Sequence, residues 1–177
     1  MQYSFRQLYE ADLCRNNKNR YVRILLKYFR LCQTTHNTWL LLLYQYVFKK
    51  IKESHHIEIP ATCHIGPGLY LGHPYGITIN SEAVIGANCN IHKGVSIGQE
   101  NRGKRKGVPT IGNNVYIGIN AIIVGKIHIG DDVLIAPNSY VNCDVPSHSI
   151  VLGNPCIIKP REGATDDYIN NKCIVYN

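Results

Sequence analysis

Aliphatic residues return at every sixth position along most of this chain. Ile59, Ile65, Leu71 and Ile77 keep that spacing, as do Ile85, Ile91 and Ile97, and then Ile111, Ile117, Ile123, Ile129, Ile135 and Val141. The residue after the anchor is repeatedly small, as at Gly66, Gly72, Gly86, Gly98, Gly112, Gly118, Gly130 and Ala136. The fourth residue after it is small or β-branched at Val95, Val115, Ala121, Ile127, Val133, Ser139 and Val145. A period of six fits neither the roughly 3.6-residue turn of a helix nor plain strand alternation. It fits short strands joined by corners, three to a coil, with the anchors stacked inward and glycine or asparagine turning the corners. Successive coils then pair at about 4.8 Å, the usual strand spacing. An ordinary β-sandwich would instead want turn clusters about every 8 to 12 residues.

Two steps break the period. Between Ile77 and Ile85 the step is eight, which predicts two extra residues around Asn80 to Val84 as a bulge or widened corner. Between Ile97 and Ile111 it is fourteen, so one corner becomes a protruding loop over 99–109, centred on QENRGKRKGVP. Loops pushed out of a regular solenoid are where ligand contacts are expected. Ahead of the repeats, the segment from Phe5 to Lys52 reads as helical. Tyr21, Ile24, Leu25, Tyr28 and Leu31 follow the i, i+3, i+4 rule, and Trp39 to Phe48 make a second, more apolar helix ended by lysines. The expected role of these helices is to cap the open end of the solenoid, whose first coil would otherwise offer unpaired strand edges. The same lysine-flanked apolar helix also suits a peripheral membrane contact. The predicted organisation is a helical cap over 1–56, a solenoid over 57–160 and a tail over 161–177.

Composition narrows the setting. The seven cysteines are odd in number and scattered, with no CxxC pair or metal-ligand spacing, which predicts reduced thiols in a cytoplasm and no metal site. The apolar run Trp39 to Phe48 is far short of the roughly 20 residues a membrane span needs. It also comes too late for a secretory leader. The net charge of +7 falls in two groups, one in the N-terminal third and one at Arg102, Lys104, Arg105 and Lys106 inside the protruding loop. Taken alone, such a charge suits nucleic acid, a membrane surface or an anionic substrate, and the loop's charges can equally be solvated; no nucleic acid partner is expected.

Among eight histidines, His73 stands apart. It sits in LGHPYGITIN, where Gly72, Pro74 and Gly76 crowd one corner. An imidazole of ordinary pKa can take a proton from a hydroxyl near neutral pH, which acyl transfer to an alcohol requires. Counting anchors in threes puts the Leu71 strand under the Ile91 strand, so His92 falls one coil above His73 and can share its cleft. A solvated corner histidine fits the spacing of His73 equally well.

The segments GLYLGHPYGITIN, NIHKGVSIG, PTIGNNVYIG and VLGNPCIIK resemble the successive signatures of the serine acetyltransferase group of hexapeptide transferases, over roughly residues 57–159. The resemblance implies a mainly β fold, a left-handed parallel β-helix with a short N-terminal α-helical cap. It also implies homotrimers with sites between subunits, and acetyl-CoA as co-substrate. The general-base histidine of an Asp-His-x-x-Gly motif corresponds to His73, and the acidic residue fifteen positions earlier that orients it corresponds to Glu58. His92 joins these as a catalytic candidate. Candidate contacts to coenzyme A are Arg102, Lys104, Arg105, Lys106, Gly118 and Lys159. This chain departs from the group in having Gly72 in place of the motif's aspartate and Gly107-Val108-Pro109 in place of an Arg-His-Pro. Its helical region is also shorter. Those departures favour a sugar hydroxyl of surface-polysaccharide assembly as acceptor, with serine O-acetylation in cysteine biosynthesis as the alternative and a non-catalytic trimeric scaffold as a further one. A γ-type carbonic anhydrase would need three zinc-bound histidines, two of them five residues apart, and no such pair accompanies His92.

Overall fold

The computed structural model describes residues 3–173. Three helices come first: α1 (Phe5–Arg15), α2 (Arg20–Thr34) and α3 (Thr38–Glu53). Ser4 and Gln7 form a capping box on α1, while the Asn19 and Asn37 side chains accept from the amides of Val22 and Leu40 to start α2 and α3. The asparagine-rich stretch Asn16 to Asn19 therefore breaks what the sequence reads as continuous helical pattern. Tyr21 hydroxyl donates to the Ile51 carbonyl and Phe29 packs on Phe48, so α2 and α3 run antiparallel.

The rest is a parallel solenoid with three walls. The first wall stacks β1 (His64–Ile65), β4 (Val84–Ile85), β7 (Thr110–Ile111) and β10 (His128–Ile129). The second stacks β2 (Tyr70–Gly72), β5 (Asn90–His92), β8 (Val115–Ile117), β11 (Val133–Ile135) and β13 (Ser149–Leu152), closed by antiparallel β14 (Ile157–Pro160). The third stacks β3 (Thr78–Ile79), β6 (Ser96–Gly98), β9 (Ile122–Val124) and β12 (Tyr140–Val141). All the sixfold anchors are buried, none more than 6% exposed.

The register relocates one irregularity. Ile79 pairs with Ile97, and Glu58 bridges Thr78, so the inward anchor of the third wall is Ile79 and the step of eight runs from Leu71 to Ile79. The two extra residues lie between β2 and β3, in a corner spanning 73–77, whereas the equivalent corner one coil up spans only 93–95. They are not at Asn80 to Val84, where the sequence period put them. Ile77 is itself fully buried, so the period reads straight through it.

The protruding loop is held as a small hairpin. Glu100 and Gly107 exchange backbone hydrogen bonds of 2.9 and 3.0 Å, a 3₁₀ turn covers Gly103–Arg105, and the Lys126 amide donates to the Arg105 carbonyl at 2.8 Å.

At the near end, helix side chains take up the backbone groups of the first coil. Arg30 donates to the carbonyls of Ile65 and Gly66 (both 2.7 Å) and pairs with Asp12 at 2.7 Å, both side chains being fully buried. Asp12 in turn accepts from the Leu69 amide (2.9 Å). Asn16 accepts from the Leu71 amide and donates to the Leu69 carbonyl, Gln33 donates to the Cys63 carbonyl, and Lys52 donates to the Ile59 carbonyl. After β14 the tail returns along successive coils. Thr165 and Ala164 donate to Asp132, the Tyr168 carbonyl accepts from Asn90, and the Asn170 carbonyl accepts from Arg15 of α1. The outer face of α3 leaves Trp39, Leu42, Leu43 and Tyr46 exposed. Among the described residues, no helix is long and apolar enough to cross a membrane.

Candidate active site

The longer corner after β2 opens into a cleft of about 540 Å³. His73 lies on its rim in the left-handed region (φ 51°), a conformation that costs a side-chain-bearing residue energy and must be held by its surroundings. Pro74 is buried beside it, and the Gly76 amide donates to the His55 carbonyl at 3.0 Å, which ties the corner back to the end of α3.

His92 enters the same cleft from the coil above, because Gly72 and His92 are direct partners in the β2–β5 register. A Cβ on Gly72 would run into the His92 ring, so glycine is required at 72 for the imidazole to lie where it does. The ring packs 4.8 Å from Tyr116 and 6.1 Å from Tyr70. Burial, and secondarily the neighbouring His73, hold the His92 pKa below the usual imidazole value, so it is neutral at pH 7. Its Nε2 is buried without a hydrogen-bond partner among the described residues. A buried polar atom left unpaired is costly, and a neutral imidazole nitrogen in a cleft wall is suited to receive or donate a bond to a ligand hydroxyl.

Three further groups of residues wall the cleft, none of them singled out by the sequence pattern. Tyr70 and Tyr116 come from β2 and β8. Asn17, Lys18 and Asn19 come from the α1–α2 link, and Asp167, Tyr168 and Asn171 from the tail. Tyr168 meets Tyr116 edge-on at 5.0 Å. Burial, with Tyr168 and Tyr70 nearby, pushes the Tyr116 phenol up, so it stays protonated and able to donate. Tyr70 and Tyr116 were within reach of coil counting, since Asn90 pairs with both. The tail and link residues carry no periodic signal.

The other sequence-derived candidates lie elsewhere. Glu58 is on the far side of the corner, in a separate cleft with Lys49, Lys52 and His56, and among the described residues no hydrogen bond joins it to His73. Arg102, Lys104, Arg105 and Lys106 are all exposed on the loop, and none has an ion-pair partner among the described residues. Lys159 is exposed on β14. Gly118 is buried, and a Cβ there would sit 2.6 Å from the Pro137 nitrogen, so coil stacking alone demands a glycine. Among the described residues, no group of three or more His, Cys, Asp or Glu is placed to hold a metal ion.

With fold and site in view, the comparisons with known proteins are specific. The bacterial transferase hexapeptide (six repeats) family matches residues 109–143. The chain is thus a hexapeptide-repeat solenoid. Within that class it is serine acetyltransferase-like. It is 35% identical over 115 residues to the serine acetyltransferase of Synechococcus elongatus, covering 65% of this chain and 47% of that protein. It is 39% identical over 98 residues to that of Helicobacter pylori, covering 55% and 57% respectively. The structure of soybean serine acetyltransferase complexed with serine superposes with a TM-score of 0.74 at 26% identity, over 88% of this chain and 70% of that one. The chain spans about half the length of the curated relatives it matches.

The contact between Gly72 and His92 predicts a thermodynamic coupling. Gly72→Ala should destabilise the protein by about 1 to 3 kcal/mol, the usual cost of overpacking. The same change made in a His92→Ala background should cost much less. Equal costs in the two backgrounds, measured by denaturant unfolding, would show that the imidazole does not occupy the space above Gly72.

Proposed function

We propose that the protein is an acetyl-CoA-dependent O-acetyltransferase, with His73 as the general base. The observation that carries the reading is the pair of histidines at the lengthened corner. One is exposed on the rim of a cleft, and the other is half-buried and neutral, with its Nε2 buried in the wall and unpaired among the described residues. His73 takes the proton of the acceptor hydroxyl as that oxygen attacks the thioester carbonyl. The carbon–sulfur bond breaks, and the proton passes from His73 to the leaving thiolate. His92 and the Tyr116 hydroxyl are placed to orient the acceptor. The four exposed cations of the 99–109 loop, without ion-pair partners among the described residues, fit the phosphates of coenzyme A.

The loop and His73 leave the solenoid at different corners, and none of the loop residues lines the His73 cleft. This supports a homotrimer in which a neighbour's loop completes each site. The exposed face of α3 is a second surface for subunit packing or peripheral membrane contact.

The relatives support L-serine as the acceptor, ahead of the sugar hydroxyl expected from the sequence. Arg15 and Lys18 offer the cleft positive charge and Asp167 negative charge, both of which a zwitterion needs. A second reading, the sugar hydroxyl, rests on two observations. No carboxylate precedes His73, and tyrosine faces and asparagine amides dominate the lining, groups that suit an uncharged polyol.

Thioester cleavage measured with L-serine and with nucleotide- or lipid-linked sugars tests both levels of the reading. His73→Ala should lower turnover by about 10² to 10⁴. A serine kcat/KM near or above about 10⁴ M⁻¹s⁻¹ supports the serine reading. Activity with sugars alone moves the acceptor to the second reading, and undiminished turnover in His73→Ala removes the base assignment.

The loop gives a separate test. Lys104→Ala combined with Arg105→Ala should raise the KM for acetyl-CoA, weaken its salt dependence and leave the acceptor KM unchanged. Light scattering on the same samples should give about three times the 20.0 kDa chain mass. A fully active monomer contradicts the shared site.

A further inference from the structure

The far end of the solenoid closes differently from the near end. The turn between β13 and β14 folds over the last coil, where the Gly153 carbonyl accepts from the Tyr140 amide and the Gly153 amide donates to the Ser139 hydroxyl, both at 3.1 Å. Beside those two bonds, the Cys156 sulfur from the turn lies 3.7 Å from the Cys143 sulfur of the last coil. Among the described residues this is the one sulfur–sulfur contact. We infer that Cys143 and Cys156 form a reversible disulfide that staples this closing turn onto the last coil, a modification site independent of the acetyl-transfer reading.

The other cysteines lack this arrangement. Cys32, Cys63 and Cys89 are buried, and burial pushes their thiols up to about 11, about 11 and about 12. At such values the reactive thiolate is vanishingly scarce near neutral pH. Cys143 and Cys156 are only partly buried. Burial first, and then the hydrogen bond to Cys156, also raise the Cys143 thiol, while the Arg105 guanidinium of the basic loop draws it down. The reaction should therefore quicken as pH rises.

A bonded pair needs about 2.05 Å between sulfurs, so the two side chains must close on each other. The pair is 13 residues apart in sequence and one partner sits on a terminal turn, so little of the solenoid has to move. The co-reactant is a low-molecular-weight disulfide such as oxidised glutathione. A protein thiolate attacks one of its sulfurs, forming a mixed disulfide and releasing one glutathione thiolate. The second cysteine thiolate then attacks the protein-side sulfur and expels the other glutathione. Two protein thiols are oxidised, one small disulfide is reduced to two thiols, and the protons pass to solvent. Because the new bond closes a short loop, it constrains the unfolded chain and raises stability without a change of fold.

The test is to equilibrate the intact protein with oxidised glutathione or with dithiothreitol, alkylate the free thiols and map them by peptide mass spectrometry. The expected result in oxidant is loss of two of the seven thiols, at Cys143 and Cys156, with the chain about 2 Da lighter. The unfolding midpoint should rise by roughly 5 to 10 °C, reversed by dithiothreitol. In Cys143→Ser or Cys156→Ser the midpoint should not respond to oxidant, while its value in dithiothreitol shows that the variant is folded. Seven free thiols in oxidant, stable glutathione adducts on the two cysteines separately, or cross-linked chains would each overturn the inference.

Discussion

A coil of parallel strands ends in a row of unpaired backbone groups, and this protein depends on how the first such row is satisfied. A buried amide or carbonyl without a partner costs about 1 to 3 kcal/mol, and the near edge of the first coil presents several. The helices answer with side chains. The Asp12–Arg30 pair would be expensive in isolation, since two charges leave water. Its remaining hydrogen-bonding capacity is spent on the Leu69 amide and the Ile65 and Gly66 carbonyls, so the pair acts as one rigid bracket between α1, α2 and the first coil. Asn16 extends the bracket to Leu71, next to Gly72 and His73. The cap and the cleft are therefore one structure: Arg15 and Asn16 satisfy strand edges with one set of contacts and line the cleft with another.

The same constraint explains where the cleft sits. A regular solenoid has identical corners and no cavity. Two added residues after β2 widen one corner, turn His73 outward in a left-handed conformation and leave room beside it. Gly72 then lets His92 cross from the next coil into that room. The tail, pinned at Asp132, Asn90 and Arg15, walls the cleft from outside and links the last coil to the first helix.

Much of this was legible in the sequence, for a physical reason: a stacked interior repeats its demand for an aliphatic residue at every strand. Every anchor from Ile59 to Val141 that the period picks out is buried, and the pairing of Leu71 with Ile91 placed His92 above the His73 corner. The period failed where two apolar residues compete for one inward position. Ile77 and Ile79 are both buried, and only the strand register tells which one stacks. That ambiguity displaced the widened corner by a few residues in the sequence reading. The Asp12–Arg30 bracket and the tail's contribution to the cleft leave no periodic trace. They join residues far apart in the chain through single side-chain contacts.

The helical cap pairs the open edge of the first coil and so holds the His73 corner. Residue-resolved amide hydrogen exchange at Leu69 and Leu71 tests it most directly, because among the described residues their amides have only Asp12 and Asn16 as acceptors. Protection comparable to that of Thr78 and Gly86, whose amides bond to the neighbouring coils, is the predicted result. Exchange at Leu69 and Leu71 as fast as in the exposed 99–109 loop, with the rest of the solenoid protected, would contradict it.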